Sequence, residues 1–249
     1  MSTETNTLSR VEWGNGNQTL VFLHYFSGAA QSWQWVARQL PNYRCIAFNL
    51  PGFGGTPALQ QPTIQRYAET ISQAIAELEL ENYTLIGHSM GGKLALQVAA
   101  TISQPPQRVV LIAPSPITTE PMPDEEKQRM LNNHPSPENA RTTLKNATKQ
   151  PLDDQQQALI IQTHQNVEQT AWRWWLLQGM NHSIADLVSQ LQIPVTVLAS
   201  KDDPVIPYNM IQTDVIDLLP NANLITIEGV GHLIPQEAPD WVAANISSL

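Results

Sequence analysis

A serine hydroxyl is a useful nucleophile only when the backbone exposes it and a base stands ready to take its proton. Residues 87–91 read Gly-His-Ser-Met-Gly, a Gly-x-Ser-x-Gly pattern. On a very tight strand-to-helix turn the serine of such a pattern is pushed clear of the sheet, and the two glycines leave room for neighbouring backbone. The pattern alone is only moderately specific, so its setting decides. Residues 83–86, Tyr-Thr-Leu-Ile, read as a buried strand, and residues 93–100, Lys-Leu-Ala-Leu-Gln-Val-Ala-Ala, read as a helix with few breakers. That is the order of elements the chemistry demands, and Ser89 is the candidate nucleophile.

Six histidines compete for the role of base. His232 follows Glu-Gly-Val-Gly at the end of the last apolar run and precedes a helix-like segment opened by Pro235, so a glycine loop presents its imidazole at a strand end. His134, His164 and His182 fall in a long stretch without strand character. His24 ends an early strand, and His88 points away from its serine neighbour if the turn forms. His232 is the expected base. The acid that orients it is sought in residues 200–207, Ser-Lys-Asp-Asp-Pro-Val-Ile-Pro, directly after another apolar run. An aspartate there reaches His232 if the two strands are neighbours, and the order serine, aspartate, histidine is that of α/β hydrolases.

These groups need a frame, and the hydropathy pattern supplies one. Short apolar runs at 18–23, 44–48, 83–86, 108–113, 193–199 and 223–227 read as strands. Several lack polar alternation, which predicts burial on both faces: a mostly parallel central sheet flanked by helices, an α/β fold. Helices are predicted over 30–39, 63–80, 90–101, 207–219 and 235–246, and residues 9–13 suggest a leading hairpin strand. Between 114 and about 186 no strand pattern occurs. Residues 115–185 are therefore predicted to be a helical cap inserted into a core made of 1–114 and 186–249, leaving from a strand's carboxyl end, where reacting groups sit in open α/β sheets.

The bulk properties exclude several classes. A chain of 249 residues supports one large domain with a sizeable core. Its formal net charge of −9 disfavours a nucleic-acid partner or an anionic membrane surface. The single cysteine, Cys45, forms no intrachain disulfide and reads as a small buried hydrophobe. The first seven residues lack a basic start followed by an apolar stretch, and no run long enough to span a bilayer occurs; a soluble cytoplasmic protein is expected.

Four motifs taken together resemble the α/β-hydrolase superfamily over essentially the whole chain, and most closely its small esterase and cofactor-free haloperoxidase-like group. They are Leu-His-Tyr-Phe-Ser-Gly at 23–28, Asn-Leu-Pro-Gly-Phe-Gly at 49–54, Gly-His-Ser-Met-Gly-Gly at 87–92 and Gly-Val-Gly-His at 229–232. The family's acid stands four residues before a loop proline, here Pro207, so the resemblance selects Asp203 over Asp202. It assigns the two oxyanion-hole N–H groups to Met90, after the nucleophile, and to Phe26. Three departures stand out: Tyr25 replaces a usual glycine, Asn49 a frequent aspartate, and Ser200 a common glycine.

A serine nucleophile implies an acyl-enzyme, unlike the carboxylate nucleophiles of dehalogenases and epoxide hydrolases of this fold. No zinc or P-loop pattern occurs, so no metal or cofactor is expected. Aromatic residues of the cap and neighbouring loops are the candidates for an apolar pocket: Tyr25, Phe53, Trp172 and Trp175, together with Phe26. The expected activity is hydrolysis of small to medium uncharged carboxylic esters, with a small-molecule ester as the only implied partner. Two rivals share the scaffold: a menaquinone-pathway-like lyase, whose family carries an arginine where this chain has Lys93, and a slow-turnover signal receptor.

Overall fold

The protein is described from a computed structural model that covers residues 8–249. The first seven residues, which carry the expectation about the N-terminus, lie outside the described residues. Among the described residues seven strands form one sheet: β1 (Arg10–Trp13), β2 (Gln18–Leu23), β3 (Tyr43–Phe48), β4 (Tyr83–His88), β5 (Arg108–Ile112), β6 (Val195–Ser200) and β7 (Ala222–Ile227). Their spatial order is β1-β3-β2-β4-β5-β6-β7, and every pairing is parallel except that of β1 with β3. The predicted hairpin is thus corrected. β2 has both edges occupied by β3 and β4, so the half-exposed β1 crosses to pair with β3, Arg10 opposite Phe48 and Trp13 opposite Cys45, and an amphipathic strand suits the edge.

The missing polar alternation has a direct cause. In β2, Leu20 and Phe22 enter one apolar cluster and Val21 and Leu23 the other, because successive side chains point to opposite faces. One face is covered by α2 (Ile64–Ala76) and α3 (Met90–Thr101), the other by α1 (Gln34–Arg38), α10 (Ile234–Glu237) and α11 (Pro239–Ser247). Cys45 is fully buried in the second cluster, and burial pushes its thiol up to about 12, which suits packing and not nucleophilic chemistry. The helix predicted over 235–246 is broken in two at Ala238, whose φ of −141° and ψ of 56° lie outside the helical region. Pro239 disfavours helical geometry in the residue before it.

Between β5 and β6 the chain forms α4 (Asp124–Asn133), α5 (Pro137–Ala147), α6 (Asp154–Gln165), α7 (Gln169–Leu177) and α8 (Ala185–Val188), with no strand among them. Capping explains several starts: Ser136 accepts the Asn139 N–H ahead of α5, and Asp153 exchanges hydrogen bonds with Gln156 ahead of α6. This insertion is tied down at both ends of the sheet surface. The Glu168 N–H donates to the Gly52 carbonyl at 2.8 Å, and Trp174 stacks on Tyr67 at 4.4 Å between centroids. On the other side the His232 N–H donates to the Ala147 carbonyl at 2.7 Å, and Gln156 Nε2 donates to the Gln236 carbonyl at 2.8 Å. After β6, α9 (Tyr208–Asp214) leads through a short 3₁₀ turn into β7.

Candidate active site

Ser89 sits between β4 and α3 with φ 53° and ψ −118°, a left-handed backbone that a non-glycine residue rarely adopts. Its neighbours make the turn feasible. A Cβ on Gly87 would lie 2.2 Å from the Gly91 carbonyl oxygen, and one on Gly91 would lie 2.4 Å from the Leu23 oxygen. Both glycines are therefore required by close backbone approach, the second because it lets α3 press against the loop after β2. The Ser89 N–H is fixed to the Ile112 carbonyl at 3.0 Å, and the Ser89 carbonyl accepts from Ser115 N–H at 3.0 Å. Strain held by such surroundings is characteristic of functional turns.

The loops after β6 and β7 are adjacent because those strands pair, Ser200 opposite Ile227. Asp203 Oδ2 accepts a hydrogen bond from His232 Nδ1 at 2.8 Å, and the Ser89 hydroxyl lies 2.9 Å from His232 Nε2. With Nδ1 as the donor, Nε2 is left as the acceptor for the serine proton. Asp203 is itself held, its Oδ1 accepting from the N–H groups of Val205 (2.7 Å) and Ile206 (3.0 Å). Burial works against a charged His232; Asp203 outweighs it, with Glu120 and Glu237 contributing, and lifts the imidazole above its ordinary pKa. Asp202 instead accepts from the Gly229 N–H at 2.7 Å and lies off this line. The Ser200 hydroxyl donates to the Val230 carbonyl and accepts from Asp202 N–H at 3.1 Å, so the departure from glycine ties the acid loop to the histidine loop.

The histidine loop is braced on every side. His88 Nε2 donates to the His232 carbonyl at 2.9 Å, and Glu237 Oε2 accepts from the N–H groups of Lys149, Gln150 and Gly231 at 2.7 to 2.9 Å. One carboxylate thus clasps the insertion to the loop that carries His232. On the opposite wall, His24 Nδ1 donates to the Tyr25 carbonyl at 2.8 Å, and its Nε2 accepts from Leu50 N–H at 3.1 Å. Burial lowers the pKa of His24 to about 4, so it is a neutral strut between two loops. Asn49 does similar work, accepting from Ala30 N–H at 2.7 Å and donating to Ser9 at 3.0 Å. The backbone N–H groups of Phe26 and Met90 have no hydrogen-bond partner among the described residues. Their residues flank the serine from the β2 loop and from the first position of α3.

Ser89 and His232 open into a cavity of about 300 Å³, the small end of the range for ligand sites. Tyr25, Phe26 and Trp175 line it. Phe53 and Trp172 do not, which corrects the sequence expectation. Phe53 is fully buried against the rings of His24 and Phe26. Trp172 is buried within the insertion, its Nε1 donating to the Met130 carbonyl at 3.0 Å and its indole stacked on His134 at 4.1 Å. Among the lining residues that the sequence did not assign to the pocket are Glu120 and His164. His164 is 1% exposed, neither ring nitrogen has a hydrogen-bond partner among the described residues, and burial lowers its pKa to about 3. Only tertiary packing singles these residues out; no local pattern surrounds either. Among the described residues no lysine or arginine lines the cavity, and no three His, Cys, Asp or Glu side chains gather as a metal site.

A mostly parallel sheet of this order, with a serine on a strained turn at the strands' carboxyl ends, is the architecture of an α/β hydrolase. Residues 20–245 match the sequence model of the alpha/beta hydrolase family, and the chain belongs to that family. It is 24% identical over 230 residues to a Haemophilus influenzae protein provisionally named an esterase/lipase, covering 90% of this chain and 79% of that one. It is also 24% identical over 250 residues to a Bacillus subtilis protein provisionally named 2-succinyl-6-hydroxy-2,4-cyclohexadiene-1-carboxylate synthase, covering 92% and 88%. Among solved structures, an esterase from Exiguobacterium antarcticum superposes with a TM-score of 0.88 at 16% identity, covering 97% of this chain and 94% of that one.

Proposed function

We propose that this protein is a serine hydrolase of small to medium uncharged carboxylic esters, working through an acyl-enzyme on Ser89. The observation that carries the reading is the unbroken line Ser89, His232, Asp203, with distances of 2.9 and 2.8 Å, opening on a largely apolar cavity. In this reading His232 takes the serine proton as Oγ attacks the ester carbonyl, and Asp203 holds the tautomer and stabilises the imidazolium. The free N–H groups of Phe26 and Met90 receive the developing oxyanion. His232 then protonates the leaving alcohol, and the same imidazole draws a proton from water to release the acid. Residues 115–185 act as the cap that shapes the pocket and excludes water.

The similarity to the synthase-named relative favours a second reading, but the cavity weighs against it. The product named for that relative carries a succinyl group and a carboxylate, so its ligand is anionic. Lys93, the one cation near the serine turn in sequence, points away from the cavity: its Nζ donates to the carbonyls of Thr118 and His182 at 2.8 and 2.9 Å. Burial lowers its pKa to about 8. Two glutamates and no lysine or arginine line the pocket among the described residues. Steady-state turnover of p-nitrophenyl butyrate, compared between wild type and folded Ser89→Ala, tests the proposal. Near-normal turnover by the variant removes Ser89 from the mechanism.

A further inference from the structure

The esterase reading leaves one buried carboxylate on the cavity wall without a task. Glu120 is 6% exposed and lines the cavity with Ser89 and His232. Its place is fixed from several sides. Its N–H donates to the Met180 carbonyl at 2.8 Å, the Ser115 hydroxyl donates to its Oε2, and the Ser115 N–H donates to the Ser89 carbonyl at 3.0 Å. Two hydrogen bonds therefore separate this carboxylate from the nucleophile's own backbone. Burial raises its pKa, opposed by Ser115, Lys93 and His232, with Asp203 adding to the rise. Oε1 accepts no hydrogen bond from the described residues. This oxygen is not one of the sealed, unpartnered atoms of the described interior, so it is reachable from the cavity, and a substrate group that displaces solvent there must donate to it or lose free energy.

The other charged side chains nearby do not duplicate it. Glu126 is paired with Arg129, whose guanidinium also reaches Asn139 and Thr143. Lys93 serves backbone carbonyls and supplies Glu120 only a field from behind. Glu120 is thus the carboxylate on this wall free to meet a substrate.

We propose that Glu120 is a specificity determinant: its Oε1 accepts a hydrogen bond from a hydroxyl group carried by the substrate close to the scissile carbonyl, and its charge excludes esters with a carboxylate there. The inference rests on Ser89 being the acylated nucleophile. A hydroxyl satisfies the free oxygen, and a site built to bond a hydroxyl discriminates against an analogue that lacks it more sharply than an apolar wall can. Burial raises the pKa of Glu120, so this exclusion belongs to its ionised form, beside which a second carboxylate would place two like charges in a water-poor space.

The test measures kcat/KM by pH-stat for methyl butyrate, methyl 3-hydroxybutyrate and methyl hydrogen succinate, with wild type, Glu120→Gln and Glu120→Leu. The glutamine variant keeps the shape and the Ser115 contact and guards against a folding artefact in the leucine variant. Wild type should prefer the hydroxy ester and reject the succinate. In Glu120→Gln the succinate-to-butyrate ratio should rise about tenfold or more, and in Glu120→Leu the preference for the hydroxy ester should fall by a similar factor. Ratios unchanged in both folded variants, with methyl butyrate still hydrolysed, overturn the role of Glu120 and leave the esterase reading standing. An equal loss of kcat for all three esters also overturns it, since Glu120 would then act through His232 and not on the substrate. Absence of any acyl-Ser89 in wild type removes the esterase reading itself, and the inference with it.

Discussion

The strand-borne line and the helical insertion are built to different standards of satisfaction. Along Ser89, His232 and Asp203 each reacting polar group has its partner, and the supporting loops are tied again through His88, Ser200 and Glu237. In the insertion, by contrast, His134 Nδ1, Asn139 Nδ2 and both ring nitrogens of His164 are buried without one among the described residues, as are Tyr25 Oη, Trp33 Nε1, Gln236 Oε1 and Glu237 Oε1 outside it. Each such atom costs on the order of 1–3 kcal/mol. The contrast separates a fully partnered line from walls that are not, and of the unpartnered atoms in the insertion those of His164 belong to a residue that lines the cavity.

The largest effect should come from breaking the line at its origin. Ser89→Ala is expected to lose ester turnover by a factor on the order of a million while circular dichroism and thermal midpoint stay near wild type. The acid comes next. Asp203→Asn leaves the shape but favours the wrong tautomer, and kcat should fall about ten-thousandfold. Asp202→Asn, off the line, should change kcat little; reversed effects would show that the acid has been assigned to the wrong neighbour.

The pH profile sharpens the same half of the comparison. His232 must be neutral to act as base, and the net effect of its surroundings raises its pKa above 6.5. The acid limb of kcat/KM should therefore have its midpoint above 6.5 and move to lower pH in any Asp203→Asn activity that can be measured. A limb below 6.5 in wild type would contradict the balance described.

Smaller effects belong to the walls. Trp175→Ala should raise KM for p-nitrophenyl butyrate about tenfold, whereas Phe53→Leu should act mainly on stability, because Phe53 does not line the cavity. Glu237→Ala leaves three backbone N–H groups without their acceptor. It should cost about 1–3 kcal/mol of stability in denaturant titrations, with kcat falling less than in any variant of the line.

What the sequence made legible follows from how local each signal is. The serine turn is a five-residue pattern with its strand and helix adjacent, and the histidine follows a glycine loop at a strand end. Unbroken apolar runs announced a sheet covered on both faces. Cavity lining was less legible, because α7 sends its indoles to three destinations: Trp172 to His134, Trp174 to Tyr67 and Trp175 to the cavity. Helical spacing alone does not choose among them. The pairing of β1 with β3 likewise depends on which edges of β2 are already taken. The break before Pro239 was readable in principle, since proline restricts the residue before it. Glu120 and His164 carry no motif and become visible only when distant segments meet at one cavity.

The central claim, covalent catalysis by Ser89, is tested most directly by acid-quenching wild type during turnover of an activated aryl ester and mapping acyl groups by peptide mass spectrometry. The account predicts multiple turnovers per protein molecule and an acyl group on the peptide containing Ser89, absent in Ser89→Ala. Product formation with no acyl-serine under conditions where deacylation is slow would contradict it, as would an acyl-serine that clears only over hours for every ester tried.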